Sequence, residues 1–289
     1  MSWRDWDRAT LDRAYSARDT VADIAPFLQR YAALSAEARR MPGVREAVPY
    51  GDHPTELLDI FPAGPTGKPG APVFIYIHGG YWRMLGRQDS AFMASALRQA
   101  GIATVAVDYE LAPTASMDRM VDQVRRAVAW VYRHGEAFGL DPSRIHLGGS
   151  SAGAHLAAMS LADGWHAAAG VPSGLVRGAL AASGLYELEP LRHGAANEWL
   201  RLDEAMALRN SPRHMIPRHG CPLIVVYAGS DTAEFKRQSR EYAARWVAAG
   251  HPSQFREMPQ HNHFDNILEL ADPSSRLFRE LLAQVEHAR

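Results

Sequence analysis

The chain has 289 residues, of which 47% are hydrophobic and 22% are charged, and its formal net charge is −1. This balance excludes a strongly basic nucleic-acid-binding protein and an acidic disordered chain. The single cysteine, Cys221, excludes an intramolecular disulfide and a metal site built from several cysteines. The N-terminus carries charged residues from its first few positions and has no apolar signal core. No apolar run approaches the ~18 residues that cross a bilayer. We therefore expect a cytoplasmic protein that binds neither nucleic acid nor membrane.

The chain alternates between helical and strand patterns. Residues 8–40 carry apolar side chains at helical spacing, and Pro26 predicts that two helices share this stretch. The Pro/Gly-rich residues 61–72 predict a surface turn, because strand patterns lie on both sides. Short apolar strands then alternate with helices, which is typical of a parallel sheet covered on both faces. The strands are predicted at 73–77, 102–107, 144–148, 178–183, 223–227 and 254–258, and the helices at 88–100, 117–138, 151–161, 232–249 and 274–287.

Residues 186–220 interrupt this alternation and are rich in His, Arg, Met and Pro. We expect them to form an insertion over the functional site, and the N-terminal helical segment, residues 1–45, to join that cover. The sequence thus predicts one α/β domain over residues 1–289, with a mostly parallel central sheet and helices on both faces. The oligomeric state is left open, with a homodimer as one option.

Residues 149–153 read Gly-Ser-Ser-Ala-Gly, a Gly-x-Ser-x-Gly motif with Ser151 at its centre. An apolar strand precedes the motif and a helix of small residues follows it, as a nucleophile elbow requires. Such a turn lifts the serine hydroxyl above the sheet, and the amide of Ala152 points at an oxyanion formed there. Ser150 competes, but its register gives a poorer Gly-x-Ser-x-Ala elbow. A Gly/Ser-rich turn without chemistry is the other interpretation.

A second motif, residues 78–82, reads His-Gly-Gly-Tyr-Trp and directly follows a predicted strand. Backbone amides after such a strand can supply the rest of an oxyanion hole, and glycines keep side chains out of the way. Tyr81 and Trp82 are candidates for an aromatic substrate pocket, although aromatic residues beside a core strand more often simply pack. The alternative is a tight strand-to-helix turn without a catalytic role.

A serine nucleophile needs a base, and here the chain order would be serine, acid, histidine. His261 and His263 lie in a loop between the predicted edge strand and the last helix. A base in this loop can be positioned above the end of the sheet. We favour His263, because Phe264 beside it can pack the loop. A His-x-His pair can also bind a metal, but no third ligand is apparent. We therefore expect neither a metal nor another cofactor.

The acid should follow a strand, and Asp231 ends the predicted penultimate strand. The 32 residues from Asp231 to His263 (263 − 231) are enough for a helix and the next strand. Asp231 can also cap the helix that opens at this point, and both roles are compatible. Glu234, one turn inside that helix, is the weaker candidate.

Several of these stretches together resemble the α/β-hydrolase kynurenine formamidases (arylformamidases), within the esterase/lipase-like α/β-hydrolases. The stretches are residues 78–82, 149–156 and 231–239, with further similarity at 11–16 and 50–62. The resemblance therefore extends over most of the chain, and residues 234–239, Glu-Phe-Lys-Arg-Gln-Ser, are its most selective part. It implies an α/β-hydrolase fold for the predicted sheet.

The resemblance also implies roles for individual residues. It implies a catalytic triad of Ser151 as nucleophile, Asp231 as acid and His263 as base. It implies an oxyanion hole of backbone amides from Gly80, Tyr81 and Ala152, to which we add the adjacent amide of Gly79. The family differs from this sequence in two places, because Ser150 stands where it often has His or Asp, and Asn262 stands where it has Asp. Neither change removes a catalytic group.

The activity implied is hydrolysis of N-formylkynurenine, or a related aryl formamide, in tryptophan catabolism. An amino-acid substrate would need a charged partner, for which Arg83 and Arg192 are candidates. A carboxylesterase for small acyl esters would use the same machinery and is the alternative enzyme. A hydrolase fold without activity, used only for binding, is a third interpretation, which the retention of all three triad residues disfavours.

Overall fold

The computed structural model describes residues 3–64 and 70–287, so residues 65–69 of the predicted turn lie outside the described residues. Within those ranges the sheet has eight strands: β1 (Arg45–Pro49), β2 (Leu57–Phe61), β3 (Ala71–Ile77), β4 (Ala103–Val107), β5 (Leu140–Ser150), β6 (Val176–Ala182), β7 (Leu223–Ala228) and β8 (Ser253–Met258). The described chain has nine α-helices: α1 (Arg8–Ala14), α2 (Ala25–Arg39), α3 (Ala94–Gln99), α4 (Met117–His134), α5 (Ala152–Leu161), α6 (Asn197–Leu200), α7 (Glu204–Arg209), α8 (Ala233–Ala248) and α9 (Arg276–His287).

The strands lie in the order β1-β2-β4-β3-β5-β6-β7-β8. β2 runs antiparallel to both β1 and β4, and the strands from β4 to β8 are parallel to one another. The α/β fold with a mostly parallel sheet is therefore confirmed. None of the helices in the described part of the chain combines the length and the apolar composition of a membrane span.

Alternate residues of the central strands face opposite layers of helices. Val73 and Ile75 of β3 belong to a buried cluster with side chains of α4, α5 and α8. Phe74 and Tyr76, on the other face, pack with α3 and α9. Because both faces are covered, every residue of β3 is buried, which explains the continuous apolar runs in the sequence.

Two predicted helices differ in extent from the structure. The N-terminal stretch does contain two helices, but the break lies between α1 and α2, and Pro26 sits in the first turn of α2. Proline is suited to that position because the amide it lacks would have no helical partner there. The helix predicted at 88–100 is a short 3₁₀ turn, Arg87–Asp89, followed by α3. The hydroxyl of Ser35 accepts a hydrogen bond from the amide of Ala91 at 3.0 Å. This bond fixes the segment between the 3₁₀ turn and α3.

The chain between β6 and β7 leaves the sheet and forms α6, α7 and two 3₁₀ turns. The N-terminal helix α1 lies against this excursion. Arg8 pairs with Glu198 at 2.7 Å, and the Asp12 carboxylate accepts the amide of Ala195 at 2.5 Å. The N-terminal segment and the 186–220 segment therefore contact each other directly.

A buried carboxylate on β2 ties helix α2 to the antiparallel edge of the sheet. Asp59 is fully buried, and the guanidinium of Arg87 approaches its two oxygens at 3.0 and 3.1 Å. Arg39 of α2 donates to the same carboxylate at 2.8 Å, and the amide of Ala47 does so at 2.9 Å. All three donors meet at the one buried anion of Asp59.

We expect Asp59→Asn to lower the free energy of unfolding by about 3–5 kcal/mol, because two largely buried guanidinium groups then lose the buried anion that they share. Urea unfolding of the purified variant measures this change. Glu46→Gln is the matched control, since Glu46 faces the same Arg39 at 3.2 Å but its side chain is 51% exposed. The control is expected to change stability by less than ~1 kcal/mol. Equal losses in both variants would contradict the role given to Asp59.

Candidate active site

Ser151 occupies the turn between the end of β5 and the start of α5. Its backbone has φ 56° and ψ −120°, a strained conformation that residues with a side chain rarely adopt. The Ser151 amide donates to the carbonyl of Ala182 at 2.8 Å, which fastens the turn to β6. Ser150, the competing serine, still belongs to β5 and is 6% exposed. Of the two serines, Ser151 has the elbow conformation.

The two glycines of the motif make this turn possible by allowing close backbone approach. A Cβ on Gly149 would lie 2.3 Å from the backbone carbonyl carbon of Gly153. A Cβ on Gly153 would lie 2.0 Å from the carbonyl oxygen of Ile77, at the end of β3. Any larger residue would therefore push the elbow away from the strand that leads into residues 78–82.

Asp231 and His263, which are 32 residues apart in sequence, meet in a buried contact. Oδ1 of Asp231 lies 2.6 Å from Nδ1 of His263. Oδ2 accepts hydrogen bonds from the Ser183 hydroxyl at 2.5 Å and from the Ala228 amide at 2.8 Å. The N-cap position of α8 belongs to Thr232. The carboxylate therefore faces the histidine, and the helix-cap interpretation of Asp231 does not describe its contacts.

These contacts set the charge on Asp231. Burial alone would raise the pKa of the carboxyl group, but His263, Ser183 and Ala228 outweigh burial and hold that pKa below its usual range. The anion favours a proton on Nδ1 of His263. Nε2 is then the ring nitrogen with a free lone pair, able to accept a proton.

We expect the contribution of Asp231 to folding stability to disappear at acid pH. A folded-state pKa below the unfolded value of ~3.9 contributes stability above that value, and the contribution is lost as pH falls through the folded pKa. The difference in free energy of unfolding between the wild type and Asp231→Asn should thus be smaller at about pH 3 than at about pH 5. Urea unfolding at constant ionic strength measures it. A difference that is equal at both pH values would contradict a lowered pKa.

His261 makes different contacts from its neighbour. Its Nδ1 lies 3.2 Å from Asp265, and its Nε2 lies 2.9 Å from Glu269. Both ring nitrogens are thus occupied by carboxylates other than Asp231, and His263 is the histidine that the structure brings to Asp231. Among the residues that the structure describes, no three His, Cys, Asp or Glu side chains are grouped so as to hold a metal ion.

Asn262, where the family has Asp, fixes the loop that carries His263. Its side-chain oxygen accepts the amides of Phe264 at 2.9 Å and of Asp265 at 3.2 Å. Its amide nitrogen donates to the Asp265 carboxylate at 2.9 Å. The ring of Phe235 packs edge-on against His263, with the centroids 4.7 Å apart. Asparagine can therefore hold this loop, and the departure leaves His263 in place.

Residues 78–82 form a turn with unusual backbone geometry and free amides. Gly80, Tyr81 and Trp82 all have positive φ, at 93°, 53° and 58°. Within residues 3–64 and 70–287, the amides of Gly79, Gly80 and Tyr81 donate to no other backbone group. The amide of Ala152, at the start of α5, also has no partner within its helix. These amides are available to an anion.

Residues 108–113 support this turn from behind. The Tyr109 ring stacks on His78 with centroids 4.2 Å apart, and its hydroxyl donates to the His78 carbonyl at 2.9 Å. The amide of Ala112 donates to the carbonyl of Trp82 at 2.8 Å. Both ends of the 78–82 turn are thus held in place.

A cavity of about 350 Å³ opens over Ser151 and His263. The N-terminal segment and the 186–220 segment both contribute apolar walls: Leu11, Tyr15, Leu28 and Tyr31 from the first, and Pro190, Leu191, Ala196 and Trp199 from the second. Charged side chains also line it: Asp12, Arg13, Arg18, Asp19, Arg83 and Asp89. The lining suits a ligand with an aromatic body and a charged end.

The two aromatic residues predicted to bind substrate occupy different places. Tyr81 lines the cavity, and its hydroxyl donates to the carbonyl of Tyr15 at 3.0 Å. Trp82 is fully buried and packs edge-on against His155 of α5, with centroids 5.1 Å apart. Burial lowers the pKa of His155 to about 4, so a neutral ring faces the tryptophan. The prediction that Trp82 contacts the substrate does not agree with this position, because the Trp82 ring fills the core behind the 78–82 turn.

Three residues near the site were not predicted from the sequence. Ser183 directly follows β6, and this position at the carboxyl end of a parallel strand was the available signal. Tyr15 lines the cavity and donates to Glu234, which also binds Arg237 at 2.7 Å, so the weaker acid candidate is engaged elsewhere. Trp199 lies in the 186–220 segment, and no local pattern in that segment distinguishes it.

Comparison with known proteins identifies the family. The BD-FAE family model matches residues 58–166. The kynurenine formamidase of Salmo salar is 35% identical, and the alignment covers 97% of this chain and 97% of the relative. The chain belongs to the kynurenine formamidase family. The esterase LipC of Mycobacterium tuberculosis is 27% identical, and that alignment covers 85% of this chain and 66% of LipC.

A solved protein structure from Silicibacter sp. TM1040 has a TM-score of 0.81 and 26% identity, and the alignment covers 96% of this chain and 98% of that chain. As a member of the kynurenine formamidase family, the protein is thus a hydrolase with the α/β-hydrolase fold. The family that the sequence resembles is confirmed, and so are the fold and the enzyme class that this resemblance implies.

Proposed function

We propose that the protein hydrolyses an aryl formamide, with N-formylkynurenine as its substrate, to kynurenine and formate. The observation that carries the proposal is the 2.6 Å contact of Asp231 with His263, in a cavity that Ser151 also lines. The 35% identity to a kynurenine formamidase supports this choice of substrate.

The first half of the reaction acylates the enzyme. Ser151 Oγ attacks the formyl carbon, and Nε2 of His263 takes the hydroxyl proton. The carbonyl oxygen becomes an oxyanion, which the free amides of residues 79–81 and of Ala152 stabilise. Asp231 holds the imidazole tautomer and stabilises the imidazolium that forms.

The carbon–nitrogen bond then breaks. An aniline nitrogen is a poor leaving group as an anion, so His263 returns its proton to this nitrogen as the bond breaks. The arylamine departs, and the formyl group remains as an ester on Ser151. Water attacks this ester while His263 takes its proton, and the proton passes to Ser151 as formate leaves. The formyl group needs little space, so the arylamine takes up most of the cavity.

We propose that the N-terminal segment, residues 1–45, and the insertion, residues 186–220, cover the bound arylamine within a single domain. Both segments line the cavity. The 2.7 Å pair of Arg8 with Glu198 links them on the outside. Such a cover excludes water and strengthens the electrostatic interactions below it.

A carboxylesterase is the second candidate, and the similarity to the esterase LipC favours it. The test compares N-formylkynurenine and formanilide with the matched ester phenyl formate. Efficient release of arylamine from both formamides is expected. Rapid cleavage of the ester, with no turnover of either formamide, would assign the site to an esterase. No turnover of any of the three would contradict both functions and favour a binding protein.

A further inference from the structure

The proposed substrate carries an amino-acid tail, and the cavity offers several cations for its carboxylate. Those that line it in the described chain are Arg13, Arg18 and Arg83. Arg192, the other candidate from the sequence, pairs with Glu189 and does not line the cavity. The contacts of these arginine side chains show which of them can bind a carboxylate.

Arg83 is held by the turn that supplies the oxyanion amides. Its amide donates to the carbonyl of Gly80 at 3.1 Å. Its guanidinium carbon lies 3.9 Å above the ring of Trp199. The Trp199 indole nitrogen in turn donates to the carbonyl of Tyr81 at 3.2 Å. The guanidinium is thus stacked on a platform that is itself fixed to the 78–82 turn.

The guanidinium of Arg83 has no anionic partner among the residues that the structure describes. Arg83 is exposed, and within the described ranges no carboxylate forms an ion pair with it. Stacking occupies the face of a guanidinium and leaves its N–H groups free at the edge, in the fork geometry that matches a carboxylate. Arg13 donates to the Thr10 hydroxyl at 3.2 Å, and Arg18 has no aromatic platform among the described residues.

We propose that Arg83 binds the α-carboxylate of the substrate and makes the enzyme selective for aryl formamides that carry an amino-acid tail. This inference rests on the proposed function and names the group that sets its specificity. The stacked guanidinium is oriented before substrate arrives, so little side-chain entropy is lost when the carboxylate binds.

The experiment compares two formamides in the wild type and in Arg83→Gln. The first is N-formylkynurenine, and the second is 2′-formamidoacetophenone, which keeps the ring, its ketone and the formamide but has no tail. Loss of a charge-assisted hydrogen bond lowers kcat/KM by about 10- to 100-fold. This loss is expected for N-formylkynurenine alone, and it should arise from a higher KM, because the contact is the same in the ground state and the transition state.

Arg18→Gln is the matched control, because it removes the same charge from another exposed arginine of the same cavity. It should change kcat/KM for either formamide less than about twofold. An equal loss with Arg18→Gln, or a parallel loss for both formamides with Arg83→Gln, would overturn the assignment of Arg83. If the wild type cleaves neither formamide, the proposed function itself fails, which is a different result.

Discussion

Replacing Ser151 with alanine is expected to lower kcat for N-formylkynurenine hydrolysis by about a million-fold, as loss of the nucleophile does in a comparable triad. The reason is that no formyl ester can form on the enzyme. Steady-state release of kynurenine measures the change, and circular dichroism checks that the fold is kept.

Ser150→Ala is the control for this substitution. It removes the same hydroxyl one residue earlier, at the end of β5 rather than in the elbow. Its kcat should remain within about tenfold of the wild type, because this hydroxyl does not face the formyl carbon in the proposed mechanism. If the effects of the two substitutions were exchanged, Ser150 would be the nucleophile and the proposed elbow would be wrong.

We expect Asp231→Asn to lower kcat by about 10⁴-fold, the size of the loss seen when the orienting acid of a triad becomes an amide. Asparagine cannot stabilise the imidazolium, and its amide can donate to Nδ1 of His263, which leaves the proton on Nε2. The histidine then has no lone pair for the Ser151 proton.

Glu234→Gln is the matched control for the acid. Glu234 is also largely buried, and it follows Asp231 by three residues, but its partners are Tyr15 and Arg237. Its loss should leave kcat within about tenfold of the wild type, since it touches no reacting group. A comparable loss in both variants would indicate that the segment is merely unstable, and a loss only with Glu234→Gln would exchange their roles.

The sequence predicts the parts of the fold that depend on local patterns. Strands buried on both faces are continuously apolar, so β3 and β7 are recognisable from composition alone. The elbow is recognisable because Gly149 and Gly153 are needed for close backbone approach. β1 is mostly exposed, with charged and apolar residues mixed, and no pattern marks it.

The remaining features depend on contacts between distant segments. Arg83 and Arg192 are equivalent as sequence, and only the ion pair of Arg192 with Glu189 and the stacking of Arg83 separate them. Trp82 is similar to Tyr81 in sequence context, yet three consecutive positive φ angles reverse the turn and place its ring in the core. Such outcomes are set by tertiary packing, which local propensity does not encode.

Titration of the wild-type enzyme with a fluorophosphonate shows whether Ser151 carries out aryl formamide hydrolysis. Peptide mass mapping gives the fraction of Ser151 that is modified, and kynurenine release from N-formylkynurenine gives the remaining activity. We expect activity to fall in proportion to the modified fraction and to vanish when Ser151 is fully modified. Formamide hydrolysis that persists in fully modified enzyme would show that Ser151 is not the nucleophile.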